Sequence, residues 1–172
     1  DWVTGEATEL RPHAISYEYD TNTKVSPPLR SGKDVQCLQQ ALDSRVVEVI
    51  ATDHAPHATV DKLCSYDDAA FGISGLETAL SMLMHLYDRC GVSLETIIRS
   101  LTEAPAKIIG REDLGSLREG KQADITIFNP NLQWKVDSKQ FLSKGKNSPL
   151  DGVEVKGRVL KTIYSGNVVF SL

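Results

Sequence analysis

Val46-Val47-Glu48-Val49-Ile50-Ala51 is a nearly continuous β-branched run that stops at the polar pair Thr52-Asp53. A half-exposed hairpin strand alternates apolar and polar residues, so this run instead predicts a parallel strand covered on both faces. Parallel strands are joined by crossovers, usually helices, and the flanking sequence supplies candidates. Upstream, Ser31 is placed to cap a helix whose apolar positions Val35, Leu38 and Leu42 recur every three or four residues, with Asp34 in its first turn. Downstream, Leu76, Leu80, Leu83 and Tyr87 form one stripe of a second helix, with Met82 and Met84 as packing residues and Gly91 as its left-handed cap. A third helix is expected from Ser93. A short fourth is capped by Thr102, tolerates Pro105 in its first turn and ends at Gly110.

From about Leu114 the pattern turns to strands. These are Asp124–Phe128, Val153–Val155, and Arg158–Tyr164 turning at Ser165-Gly166-Asn167 into Val168-Val169-Phe170, while Asn129-Pro130-Asn131 reads as a turn. The expected organisation is therefore a βα region over 1–113 and a β-strand module over 114–172. The chain opens on Asp1 with a strand-like Trp2-Val3-Thr4, as expected of a chain cut from something longer.

The chain has 172 residues, 41% of them hydrophobic, enough to bury a core of ordinary domain size. Its net charge of −4, with Lys and Arg scattered, provides no footprint for nucleic acid or an anionic membrane. No apolar stretch approaches the roughly 20 residues of a membrane span and no signal peptide opens the chain, so a cytoplasmic protein with small-molecule or protein partners is expected. Cys37, Cys64 and Cys90 are odd in number and widely spaced, which fits reduced structural thiols better than disulfides or a CxxC metal site.

The densest polar cluster is Thr52-Asp53-His54-Ala55-Pro56-His57, at the carboxyl end of the expected strand. Barrel enzymes place catalytic side chains there. An Asp at this point can ligate a divalent metal or exchange a proton with activated water, and His57, beyond the stiff Pro56, can face an anionic substrate group. By spacing alone an ordinary loop, with Asp53 capping neighbouring amides and both histidines solvated, is equally consistent. His85 lies opposite the Leu76 stripe and is expected in solvent.

The hexapeptide is similar to the signature of dihydroorotases, enzymes of the amidohydrolase superfamily. Upstream, Lys24-Val25-Ser26-Pro27-Pro28-Leu29-Arg30 resembles the family's Pro-Pro-Leu-Arg segment. Downstream, Ala70-Phe71-Gly72-Ile73-Ser74-Gly75-Leu76-Glu77-Thr78 resembles its Pro-Phe-Gly loop, and Gly115–Asp124 resembles the return into its small β domain. The resemblance implies an α/β chain: the C-terminal part of an amidohydrolase TIM barrel, followed by strands of a small β-sandwich. It also implies reversible hydrolysis of dihydroorotate to N-carbamoyl-aspartate in pyrimidine biosynthesis, with zinc as cofactor. Asp53 stands at the position of a metal-ligating proton-transfer residue, His57 at that of the substrate-carboxylate histidine, Phe71 and Gly72 where backbone groups meet the ring, and Ser26 where the family carries a substrate-binding asparagine.

Three departures accompany the resemblance. A serine at position 26 is shorter than a carboxamide and lacks its planar donor and acceptor pair. Glu9-Leu10-Arg11-Pro12-His13 differs from the family's Pro-His-His. The family's His-x-His, lysine or aspartate, and further histidine ligands find no match, and a complete barrel takes about 250 residues. The 172 residues alone are therefore expected neither to bind zinc stoichiometrically nor to hydrolyse dihydroorotate. Expected partners are the small-molecule substrate, the rest of the barrel, and a second copy or an aspartate transcarbamoylase. Alternatives are an allantoinase or hydantoinase acting on another ring, and a non-catalytic dihydroorotase-like subunit.

Overall fold

The computed structural model describes residues 19–172, so the strand expected at 2–4 and the segment 9–13 lie outside the described residues. Helix α1 spans Gly32–Asp43, α2 Ala79–Cys90, α3 Leu94–Leu101 and α4 Glu103–Ile108; strand β1 spans Ile125–Lys135, β2 Glu154–Tyr164 and β3 Asn167–Ser171. The chain forms two compact units. One joins the described residues up to Cys37 with Thr52–Ala79 and Lys135–Val155; the other joins Leu38–Ala51, Leu80–Trp134 and Lys156–Leu172.

The helices start where the caps predict. Ser31 and Asp34 exchange bonds at the head of α1, the Ser31 hydroxyl donating to Asp34 Oδ2 at 2.8 Å. Ser93 Oγ accepts from Thr96 N at 3.0 Å at the head of α3. Thr102 does not cap α4, because its hydroxyl donates back to Ile98 O at 2.7 Å and closes the preceding helix instead. Gly91 and Gly110 follow α2 and α4 with φ of +73° and +71°, a region that costs glycine little.

The buried face of α2 differs from the expected stripe. Met82, Leu83, Met84 and Leu86 are buried, whereas Leu76 precedes the helix and Leu76 and Tyr87 are exposed. His85 is half-buried. With Leu42, Val92, Ile97, Ala104 and Ala106, the α2 residues make an apolar core for the second unit.

Strands β1, β2 and β3 form a three-stranded sheet in that order, with β2 and β3 antiparallel. The expected hairpin turn is present: Ser165 and Gly166 have φ of +48° and +80°, the pair of positive values that a type I′ turn requires. Two sequence breaks prove to be continuous strand. Asn129-Pro130-Asn131 lies inside β1, with Asn129 Oδ1 accepting from Asn131 N at 2.8 Å. The two segments expected at 153–155 and 158–164 join as β2 through Gly157 at φ +94°.

The parallel strand expected at Val46–Ala51 is not formed. Val46 is 79% exposed, and the backbone bonds of the run are isolated ones, Val47 N to Ala41 O and Ile50 N to Ser100 O. A β-branched run becomes a strand only against neighbours that pair its backbone and cover its faces, and among the described residues none does. A trace of parallel pairing survives one step on, in a single bridge between His54 and Ile73. Cys37, Cys64 and Cys90 form no disulfide, and Cys37 and Cys64 are exposed.

Candidate functional site

The hexapeptide loop lies wholly in the first unit, together with Ser26, Phe71 and Gly72. It is held by side chains rather than by a ladder. Ala55 N donates to Ile73 O at 2.9 Å beside the His54–Ile73 bridge. His54 Nδ1 accepts from Leu76 N at 3.2 Å, so this ring carries its proton on Nε2, which faces Ser143 Oγ at 3.3 Å. Ser143 N in turn donates to Glu77 Oε1 at 3.0 Å. His54 is thereby a structural pin, not a solvated loop residue.

His57 is fixed at both ends. Its backbone N donates to Asn147 Oδ1 at 2.9 Å, and its Nε2 lies 2.8 Å from Phe71 O. A carbonyl only accepts, so Nε2 bears a proton, and Nδ1 lies 4.0 Å from Asp61 Oδ2. The structure thus brings His57 together with Phe71 and Gly72.

Gly72 is dictated by its surroundings. At φ +142°, a Cβ there would lie 2.6 Å from Ala55 Cβ, 2.7 Å from Ala55 O and 3.0 Å from His57 Nε2. Its N donates to Lys24 O at 2.9 Å and its O accepts from Asn147 Nδ2 at 3.0 Å. The Gly72–Lys24 bond brings the Lys24–Arg30 segment to the site. Ser26, two residues past that bond, is exposed and precedes a cis peptide to Pro27.

Asp53 is exposed at φ +47°, and its carboxylate takes no hydrogen bond among the described residues. A short polar side chain tolerates this backbone region better than most. The carboxylate is therefore not a cap for neighbouring amides and hydrogen-bonds to none of His57, Phe71 and Gly72.

Two buried lysines border the site. Lys24 Nζ donates to Asp67 O at 2.8 Å and sits 4.5 Å from the Phe71 ring centroid. Lys62 Nζ donates to Thr21 O at 2.9 Å and to Ala70 O at 2.6 Å. Burial, and next the nearby Lys24 cation, push the Lys62 ammonium below its usual range. Sequence reasoning missed Lys62, Ser74, Glu77, Ser143 and Asn147 as parts of this site. The last two sit in Ser143-Lys144-Gly145-Lys146-Asn147-Ser148-Pro149, whose composition reads only as loop.

Among the described residues no group of three or more His, Cys, Asp or Glu side chains could hold a metal ion. Zinc sites take three or four protein ligands, so these residues do not make up a zinc site. No helix among them is long and apolar enough to cross a membrane.

Residues 8–169 match the amidohydrolase family. The chain is 43% identical over 172 residues to the dihydroorotase of Syntrophus aciditrophicus, covering 98% of this chain and 40% of that protein. It is 42% identical over 167 residues to the dihydroorotase of Caldanaerobacter subterraneus subsp. tengcongensis, covering 93% and 38%. In structure it is similar to the L-hydantoinase (dihydropyrimidinase) of Arthrobacter aurescens, with a TM-score of 0.80 and 34% identity over 86% of this chain and 34% of the other. A D-hydantoinase from Thermus sp., at 22% identity and a TM-score of 0.77, shares the fold. The chain spans about 40% of the length of the curated relatives it matches. A family match running through nearly the whole chain, over a loop whose geometry is fixed by its own side chains, establishes that this protein belongs to the amidohydrolase family.

Proposed function

We propose that this chain is part of a dihydroorotase, which interconverts dihydroorotate and N-carbamoyl-aspartate, and that it supplies the proton-transfer carboxylate and part of the substrate-binding surface. The observation that carries the reading is the Thr52–His57 hexapeptide, which resembles the dihydroorotase signature, in a chain 41–43% identical to several proteins of that name. In this reading Asp53 moves a proton between attacking water and the departing ring nitrogen, as a carboxylate free of internal bonds can. His57 faces the substrate carboxylate, with Nε2 committed to Phe71 O and Nδ1 donating to that carboxylate when it also carries a proton. The backbone of Phe71 and Gly72 meets the ring, and Ser26 offers one hydroxyl from the opposite segment. A zinc ion would draw its remaining ligands from beyond the described residues. The barrel and small β-sandwich, a cytoplasmic setting and assembly with a second copy belong to the same proposal.

A hydantoin-type substrate is the second reading, favoured by Ser26 and by the 34% identity to an L-hydantoinase. Steady-state assays of the full-length protein with dihydroorotate, hydantoin and allantoin separate the two. Dihydroorotate is expected to give the highest kcat/KM; a higher value for either other ring would overturn the first reading. Asp53→Ala is expected to lower kcat by on the order of 10²–10⁴ while leaving the melting curve in place. Unchanged turnover in that variant removes Asp53 from the mechanism.

A further inference from the structure

We propose that Asn147 is the positioning residue of the candidate site: its carboxamide ties His57 to Gly72 and so sets where the imidazole stands relative to the Phe71–Gly72 backbone. This rests on the proposed function for the substrate-facing roles of His57, Phe71 and Gly72, and adds the residue that holds them.

The hydrogen-bond pattern leaves the carboxamide one orientation. Its Oδ1 receives the His57 N–H at 2.9 Å, and a backbone amide can only donate. Its Nδ2 meets Gly72 O at 3.0 Å, and a carbonyl can only accept. Ser74 adds a second attachment: its N donates to Asn147 O at 2.9 Å, and its hydroxyl, 2.8 Å from Asn147 Oδ1, can donate there or to Gly145 O at 2.9 Å. Asn147 is only 7% exposed, so each of these bonds lacks a ready replacement from water.

These bonds close a ring. His57 N reaches Asn147, Asn147 reaches Gly72 O, and Gly72 follows Phe71, whose carbonyl takes the proton of His57 Nε2 at 2.8 Å. Removing Asn147 leaves the imidazole with one tether and the Gly72 carbonyl with none from this side. The surrounding segment presses on the same loop. A Cβ on Gly145 would lie 2.5 Å from Pro56 Cβ and 2.8 Å from His57 N, and Ser143 Oγ faces His54. The carboxamide therefore bonds on both sides of the two groups assigned to the ligand, which a residue serving only to fill the core would not do.

The test uses the full-length protein with Asn147→Ser and Asn147→Asp. Serine removes the bridge; aspartate has the same shape, keeps the acceptor for His57 N–H, and turns an oxygen toward Gly72 O. For the serine variant, hydrogen exchange at the His57 amide is expected to quicken roughly tenfold or more, with KM for dihydroorotate rising about tenfold and kcat changing less than about threefold. For the aspartate variant, exchange at His57 stays near the parent value while KM still rises. Unchanged exchange at His57 in a folded serine variant, or a fall in kcat with KM unchanged, overturns the proposal. If melting curves show that neither variant folds, Asn147 serves folding alone and the proposal is likewise overturned. A parent protein that turns over no dihydroorotate would sink the functional reading only, and His57 exchange would then decide the positioning role by itself.

Discussion

The two units are held by different forces. In the second unit the buried side chains are chiefly apolar: Leu42, Met82, Leu83, Met84, Leu86, Val92 and Ile97, with small hydroxyls such as Ser81 and Ser100 among them. In the first unit Lys24, Lys62, Ser74, Thr78, Ser138, Asn147 and Ser148 are buried beside Val35, Val136, Phe141, Leu150 and Val153. An apolar core is non-directional and tolerates sliding, whereas a buried amide or ammonium is satisfied only in particular geometries. The candidate site lies where directional bonds dominate. Polar burial costs stability unless every group is paired, and what it gives in return here is a fixed distance between His57 and Gly72.

That contrast can be broken at several points. The largest effect is expected from Leu83→Ala in the apolar unit. Leu83 is 1% exposed, and its truncation should cost about 3–5 kcal/mol in chemical denaturation, with His57 exchange lagging behind the global loss. Equal acceleration of exchange in both units would show a single cooperative core. Next comes Gly72→Ala, where the left-handed backbone and the 2.6 Å approach to Ala55 Cβ predict a loss of about 3 kcal/mol. A melt unchanged within error would mean that the loop is not held as described.

Lys62→Met should cost about 1–3 kcal/mol, because Ala70 O loses the ammonium and Thr21 O keeps only the Lys24 N–H. It carries a pH signature as well. Since burial lowers the folded ammonium's pKa, the unfolded chain binds more protons between that lowered value and the ordinary 10.5, so parent stability rises with pH across this window. The methionine variant should lack that rise, which paired denaturation curves at neutral and alkaline pH would read. The smallest effect is expected at Val47→Ser, under about 0.5 kcal/mol in the 172-residue chain, where the side chain is exposed and the run joins no strand. The same change in a longer protein that pairs this run should cost about 1 kcal/mol or more, by comparison of the two melts.

Legibility in the sequence followed the range of the forces. Helix caps at Ser31 and Ser93, the Gly91 stop and the Ser165-Gly166 turn were readable because each depends on a few adjacent residues. On α2 the expected packing of Met82, Leu83 and Met84 is present, whereas Leu76 and Tyr87 continue the period but lie exposed. Val46–Ala51 carried the right composition for a strand, yet pairing is a property of neighbours and not of the run itself. At the site, His57, Phe71 and Gly72 were legible through motif resemblance and do meet. Asn147 was not, because its partners lie 75 and 90 residues away and nothing local marks one asparagine in a Gly/Ser/Lys loop as a bridge.

That separation also sets a clock. At roughly 5–20 residues added per second during synthesis, a loop whose backbone must wait for a side chain 90 positions later stays unclamped for on the order of five to twenty seconds. The helices, built from local contacts that form in microseconds or less, are complete long before. During that interval the nascent loop has only its tethers to residues 71–76, and the clamp on the His57 amide waits for a carboxamide that no neighbouring residue supplies.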